Sequence, residues 1–402
     1  MIKEEQKSMK LFKIGVLGAI IMVWIGSMTI RAEAATIKDS ETGYRYTKDG
    51  DSTSVIPILE AIKEIEKYEA TENVHYLRST LADYLVGGYL YYPIPGARNT
   101  NVLGSNTATM VPQGICRMDN YILITAYDGI AKKDKRIYTS EIKKYEKENL
   151  YMNRGKRNSV IYILTVDGKY ITTLVYDKAC HMGGITYDGA NVWIAEDENG
   201  VSAISKADIL RATNIAISKG AKSIELKGIN KVAISRLEKA SYCTYFDNKL
   251  WVGTFWEKKE GDIYGYSISY LRGKPILTPS RHIKSPKKTQ GMCFYKENNI
   301  VYLALAISHG RNNDSKILCY KLNTYYTTTT RKSDGSLQIT RPKAYKTIYL
   351  PPMLEQISMN GVFMYSIFES GARPYIDGTD GDLTTDTPIG YYCIFDANKI
   401  FK

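Results

Sequence analysis

Two glutamates and two histidines are the residues of this sequence best placed to do chemistry. Glu355 and Glu369 stand on either side of an apolar hairpin, one opening a strand and the other closing the next. Adjacent antiparallel strands bring such ends together, and two close carboxyls split their pKa values and can serve as acid and base. His181 and His309 are two of only four histidines, and an imidazole there can act as general base or metal ligand. Gln113 and Gln290 open other strands, and their amides offer both a donor and an acceptor to sugar hydroxyls. Trp256 and Arg373 follow strands and complete the set. Glu355, Glu369 and His309 are the catalytic candidates; Gln113, His181, Trp256, Gln290 and Arg373 are the ligand-binding ones. Each has a competing structural role. The carboxylates can accept hydrogen bonds from Gln356, Ser370 or Arg373, the glutamines can bond exposed backbone, and the histidines can be rim residues.

These positions converge only if the chain repeats. Pro112-Gln113-Gly114-Ile115-Cys116, then the apolar run from Tyr121 to Tyr127, is echoed by Thr289-Gln290-Gly291-Met292-Cys293 and the run from Ile300 to Leu305. Weaker echoes begin at Met182, Ser241 and Glu355. Each is an apolar strand, a polar turn and a second apolar strand, recurring about every 50–70 residues, the signature of propeller blades. The expectation is an all-β, five-bladed β-propeller with a short N-terminal helical extension; a six-bladed ring is the alternative. Blade one is expected near 113–118, 121–127, 159–165 and 170–176. Blade two has 183–187, 191–196 and 200–205, with an edge around 222–227. Blade three has 241–246, 249–255, 262–268 and 280–284; blade four 290–295, 300–307, 315–321 and 344–350; blade five 355–359, 362–368 and 390–396. The last blade lacks a fourth strand, and residues 87–107 are the candidates to complete it, which pairs edges that would otherwise be exposed.

In that arrangement the starts of first strands and the ends of second strands open on one face. The candidate residues therefore share it, while turns such as Asp247-Asn248 lie opposite and are ordinary turn chemistry. A long insertion from 128 to 158 overhangs the candidate face and carries ten basic residues. It reads as a charged flap or a cationic lid. Most of the 33 tyrosines read as packing between blades.

The Pro-x-Gly-apolar strand starts at Pro112 and the two-strand phrase resemble the repeat of gluconolactonase and SMP-30-like propellers, their strictosidine-synthase-like relatives and YncE-type secreted propellers. The resemblance covers roughly 111–400. It implies a divalent cation such as Ca²⁺ held by acidic and amide side chains at strand starts, which here are Gln113, Gln290 and Glu355. Glutamine replaces an anionic ligand of a hard cation poorly, so the lactonase activity does not carry over with the repeat.

The ends and the composition suggest where the chain works. Lys3 to Lys13 and the apolar Ile14–Ile30 run form a Sec-type leader, with cleavage expected after Ala34; an uncleaved anchor is the alternative. The expected domains are a leader over 1–34, the extension with its ring-closing strand over 35–108, and the propeller over 109–402. The net charge of the 402-residue chain is +12. On an exported protein this points to anionic wall polymers, anionic lipid surfaces or acidic glycans rather than nucleic acid. No later run is long enough to span a bilayer. Three of the six cysteines, Cys116, Cys243 and Cys293, fall in first strands, where they read as small buried hydrophobes. There is no phosphate loop, nucleophile elbow or dinucleotide fingerprint. Three functions follow: a secreted or surface module binding glycan, cell-wall polymer or another ligand; a hydrolase of glycosidic, ester or lactone bonds using Glu355 or Glu369, with or without a metal; and a protein-interaction scaffold.

Overall fold

Short polar turns with left-handed backbone fold the chain into hairpins. Asp247 and Asn248 (φ 51° and 57°) and Asn298 and Asn299 (φ 47° and 64°) form two of them, and Gly361 (φ 61°) lies in another. Such turns match the right-handed twist of flanking strands, so each joins the first two strands of a repeat. The computed structural model describes residues 36–48, 81, 83–88, 91–96, 110–129, 152–153, 156–197, 200–322, 328–331, 337–340, 343–378 and 382–402. The leader, the helix expected over 55–68 and almost all of the basic insertion lie outside these residues; of the stretch expected to be helical over 76–85, residues 81 and 83–85 are described, with 83–84 in a turn and Leu85 bridged to Phe395.

The strands run in chain order as follows. β1 (Thr36–Lys38), β2 (Arg45–Thr47) and β3 (Tyr91–Pro93) precede the repeats. The first repeat contributes β4 (Met110–Met118), β5 (Tyr121–Asp128), the small β6 (Met152–Asn153) and β7 (Lys156–Arg157) ribbon, β8 (Val160–Thr165) and β9 (Tyr170–Val175). The second contributes β10 (Gly184–Tyr187), β11 (Asn191–Ala195), β12 (Val201–Ser205), helix α1 (Lys206–Lys219), β13 (Ser223–Glu225) and β14 (Ile229–Val232). The third contributes β15 (Tyr242–Phe246), β16 (Lys249–Gly253), β17 (Gly261–Leu271) and β18 (Lys274–Ser285). The fourth has β19 (Thr289–Glu297), β20 (Ile300–Ile307), β21 (Ser315–Lys321), the β22 (Thr328–Arg331) and β23 (Leu337–Thr340) hairpin, and β24 (Lys346–Leu350). The last has β25 (Leu354–Asn360), β26 (Phe363–Phe368), helix α2 (Arg373–Asp377), β27 (Tyr391–Asp396) and helix α3 (Ala397–Phe401).

Among the described residues, four sheets are four-stranded blades: β10-β11-β12-β14, β15-β16-β17-β18, β19-β20-β21-β24 and β25-β26-β27-β3. The expected count of five or six such blades is therefore corrected to four. The first repeat does not stand as a blade of its own; its β4-β5-β8-β9 meander is built into a seven-stranded sheet with β13, β2 and β1. The cause lies in the second repeat. After β12 the chain enters α1, capped by the Ser205 hydroxyl accepting from the Asp208 N–H and ended by left-handed Gly220. Ile209, Ala212, Thr213 and Ala216 form its buried stripe. The helix carries β13 across to lie parallel to β9, and only then does β14 return to edge its own sheet. The edge expected at 222–227 thus belongs to the preceding sheet.

The innermost strands pack in a circle, β4 on β10, β10 on β15, β15 on β19, β19 on β25 and β25 on β4. This closed ring of radial meanders is a propeller arrangement. β3, from before the repeats, lies antiparallel to β27 with Tyr92 opposite Tyr392. Glycines let the inner strands approach the axis. A Cβ on Gly291 would lie 2.8 Å from the Glu355 carbonyl oxygen, and one on Gly184 2.7 Å from the Cys243 nitrogen.

Each gap between neighbouring sheets is filled by its own apolar layer. Burying one large apolar side chain contributes about 1.5–3 kcal/mol, so these layers hold the sheets together. The six cysteines are free thiols and five are buried. Burial pushes the Cys243 and Cys319 thiols up to about 12. Cys293 and Cys319 flank Ala304 on opposite sides. Two strand spacings, about 9–10 Å, keep them beyond the reach of a disulfide.

Candidate functional site

Three of the inner strands are bulged where they meet the channel mouth. The register slips between Pro112 and Gly114, between Thr289 and Gly291, and between Leu354 and Ile357. The residues so released are Gln113, Gln290, and Glu355 with Gln356. A bulge leaves the extra residue outside the ladder and re-aims its side chain. The four residues therefore turn toward the axis or its mouth.

Gln356 bridges the inner strands. Its Oε1 accepts from the Ile115 N–H (2.9 Å) and the Ile185 N–H (3.0 Å). Its Nε2 donates to the Ile185 carbonyl (2.8 Å) and the Cys243 carbonyl (3.2 Å). One fully buried amide thus ties β25 to β4, β10 and β15.

Above it lies a floor of paired acids. Gln113 donates through Nε2 to Glu369 Oε2 (2.9 Å) and to the Pro112 carbonyl (3.0 Å). Tyr375, on α2, donates to the same Glu369 oxygen (3.0 Å). Gln290 donates to Glu355 Oε1 (3.2 Å). Glu355 and Glu369 hydrogen-bond each other. Burial raises the Glu355 pKa well above the carboxylate range, and the Glu369 charge beside it adds to the rise. Burial also raises Glu369, but donation from Tyr375 and Gln113 holds it lower. The two carboxyls therefore share a proton, with Glu355 the more strongly raised of the pair. The Arg311 guanidinium, from the loop after β20, lies 4.7 Å over the Tyr375 ring and reaches the Leu383 carbonyl. Tyr127, at the end of β5, packs against the His181 ring with centroids 4.9 Å apart.

The rim is cationic. Trp256 carries the Lys259 ammonium at 4.0 Å and the Lys239 ammonium at 4.8 Å from its ring centroid. Lys239 lies 3.8 Å from Asp197. His181 stands before β10 with the same two charges in its surroundings. The enclosing walls lower its pKa, Asp197 opposes this and Lys239 adds to it. The residue is nonetheless exposed, and solvent moderates the shift. His309, after β20, lies 3.5 Å from Glu257.

Gln113, Gln290, Glu355 and Glu369 thus come together in one network. Trp256, His181 and His309 stand around it rather than in hydrogen-bond contact with the carboxyl pair. His309 is paired with Glu257 on the rim, away from the position expected of a third catalytic group. Arg373 opens α2 and is half-buried; the arginine stacked on Tyr375 is Arg311. Sequence reasoning missed Tyr375, on the short helix α2, and Arg311, Lys239 and Lys259, which lie in irregular segments outside the repeat. The Arg373-Pro374 pair was a signal for the short helix carrying Tyr375, because proline favours a first helical turn.

Glu196 is a buried acid of another kind. It receives Lys231 (2.8 Å) and Lys178 (2.7 Å) and hydrogen bonds from Tyr176 and Ser202. Burial alone would raise its pKa, but these partners hold it below the usual value. It is a structural hub near the edge of the mouth.

A divalent cation fits this floor poorly. Gln113 and Gln290 turn their NH₂ groups, not their oxygens, toward the carboxylates, and the carboxyl pair shares a proton. Among the described residues no three His, Cys, Asp or Glu gather as a cation cage, whereas calcium takes six to eight oxygens.

No protein-family model matches this chain. No curated protein matches it either, so the resemblance to the SMP-30-like repeat is not supported at family level. Solved structures with some likeness include one titled a Dos1 propeller, at 8% identity and TM-score 0.30, covering 63% of this chain and 52% of that one. Another is a glycoside hydrolase at 10% identity and TM-score 0.32, covering 64% and 55%. A third is the Bombyx mori GH32 β-fructofuranosidase BmSUC1, at 9% identity and TM-score 0.35, covering 78% and 65%. The chain spans about half to two-thirds of the length of these proteins. Such loose superpositions transfer no activity; the propeller arrangement rests on the strand topology above.

Proposed function

We propose that this chain is an exported binding protein whose channel-mouth face takes an anionic glycan or cell-wall polymer. The observation that carries the reading is the Lys239–Trp256–Lys259 cluster. An aromatic ring that holds two ammonium groups by cation–π attraction fixes two positive charges at a set spacing on the rim of a concave surface. Such a surface attracts a polyanion, and the tryptophan adds apolar contact to a sugar face. The chain's net charge of +12 acts in the same direction. The leader expected over 1–34 supports export to where such polymers are found.

The test is a binding panel of acidic and neutral wall polysaccharides, read by isothermal titration. The reading predicts saturable binding to acidic members, weakened about tenfold or more by Trp256→Ala. Equal binding of neutral members, or indifference to Trp256→Ala, would overturn it.

A second reading is supported by the Glu355–Glu369 pair, because a proton-sharing carboxyl dyad is also catalytic equipment. The pair is in direct hydrogen-bond contact, closer than the roughly 5–5.5 Å or more between the carboxyls of glycosidases. A hydrolase reading therefore favours ester or lactone bonds, with Glu369 as base. Turnover of acidic-polymer esters that disappears in Glu369→Gln would establish it.

A further inference from the structure

The floor of the face contains an acceptor that nothing in the protein satisfies. Gln113 is 1% exposed, and its Oε1 has no hydrogen-bond partner among the described residues. The amide cannot simply turn over. Its Nε2 faces two acceptors, the Glu369 carboxylate and the Pro112 carbonyl, and a reversed amide would set oxygen against both. Oε1 is therefore left unpaired by the same contacts that hold the carboxylate. A buried unpaired acceptor is costly, and a suitable donor would recover that cost.

The chemistry of that donor follows from what surrounds it. Glu369 is half-buried and hydrogen-bonds Glu355, Gln113 and Tyr375. A hydrogen bond between two carboxyls needs at least one proton, so the pair carries at most one negative charge. Arg311 lies over the Tyr375 ring; its charge acts on Glu369, and Asp382 lies 3.9 Å from its guanidinium. A group with one positive charge and several N–H donors matches a single carboxylate and a neutral amide oxygen. A divalent cation does not, because it would have to expel the shared proton and find further oxygens.

We infer that the floor, at Gln113 Oε1 and Glu369, takes a primary ammonium group. This rests on the reading of the face as a binding surface and narrows it. The rim attracts an anion and the floor takes an amine, so the ligand's repeating unit is zwitterionic. The amine could belong to a sugar without its N-acetyl group or to an aminoacyl ester on the polymer.

The experiment compares a glucosamine oligomer with the N-acetylglucosamine oligomer of equal length by isothermal titration, with glycine methyl ester as an amine outside a sugar and Ca²⁺ as a metal arm. The glucosamine oligomer should bind about 10–100-fold more tightly, the loss expected for one charge-assisted hydrogen-bonded group. Competition by glycine methyl ester would show that the amine alone is recognised; its failure to compete would assign the site to amino sugars. Glu369→Gln should abolish the preference for the amine. Gln113→Met, which removes the unpaired oxygen, should reduce it; both variants are checked for unchanged melting and circular dichroism. Equal binding of the two oligomers, a preference that survives in both folded variants, or a response to Ca²⁺ alone would overturn the inference. Acidic-polymer binding that depends on Trp256 without any amine preference would sink this inference and leave the proposed function standing. Amine-dependent binding untouched by Trp256→Ala would do the reverse.

Discussion

Removing the side chain of Gln356 should release the inner strands from one another. The Gln356→Ala substitution deletes four hydrogen bonds, to Ile115, Ile185 twice and Cys243. At about 1 kcal/mol net for each bond, the loss is about 4 kcal/mol. The four backbone groups left behind face the narrow axis, and those that water cannot reach raise the loss toward about 6 kcal/mol. That is a large fraction of the 5–15 kcal/mol typical of a folded domain. Urea unfolding followed by tryptophan fluorescence reads it directly, since Trp193 and Trp251 are buried in the blades. Gln356→Glu separates the two halves of the amide. It can still accept from the Ile115 and Ile185 N–H groups, but it loses both donated bonds and sets a carboxylate against two carbonyls. It should be destabilised too, increasingly as pH rises and the carboxyl ionises. A loss below about 1.5 kcal/mol in Gln356→Ala, with an unchanged denaturant slope, would refute the idea that this amide ties the strands at the axis.

Three further outcomes follow from the same geometry. Gly291→Ala places a Cβ 2.8 Å from the Glu355 carbonyl oxygen and 3.0 Å from the Gln356 Cα, so it should destabilise by about 1–3 kcal/mol, measured by the urea midpoint. Burial and Glu369 raise the Glu355 pKa, so the pair's stabilisation is complete below the ordinary value of 4.5 and is lost as pH rises through the folded value. Glu355→Gln keeps a donor to Glu369 without a proton to lose, and should flatten that alkaline decline in a series of unfolding curves across pH. Glu196 is the opposite case: its pKa is lowered, so its contribution is present above 4.5 and is lost as pH falls through the folded value. Glu196→Gln should cost about 1–3 kcal/mol at neutral pH by weakening the bonds from Lys178, Lys231, Tyr176 and Ser202, and should remove that acid-side dependence.

The sequence showed the propeller through its repeat because inner strands have strong local rules. Their glycines are demanded by close approach at the axis, and their Asp, Asn and Gly turns by left-handed backbone. The carboxyl pair was legible for the same reason: Glu355 and Glu369 sit at matching ends of neighbouring strands, so topology alone brings them together. The bulges that aim Gln113, Gln290 and Glu355 left no local signal. The passage of β13 into the neighbouring sheet was not legible either, since three residues have no pattern that names their partner strand. The helix before it was readable in retrospect from Ser205, Asp208 and Gly220, but the repeat left 206–221 without an element. Arg311 and the lysines on Trp256 belong to irregular segments whose placement depends on tertiary contacts, so no spacing pointed to them; Tyr375 sits on the short α2, marked locally by Pro374. His309 shows the converse limit, because a residue on the right face was still paired with Glu257 rather than with the acids.

The most direct test of the account is the salt dependence of binding to an acidic wall polysaccharide, compared between the wild type and Lys239→Ala/Lys259→Ala. Binding through those ammonium groups predicts an affinity that falls as salt rises, and a double variant that binds more weakly with a visibly shallower salt slope. An identical affinity and slope in the two proteins would contradict the claim that this rim is the binding surface.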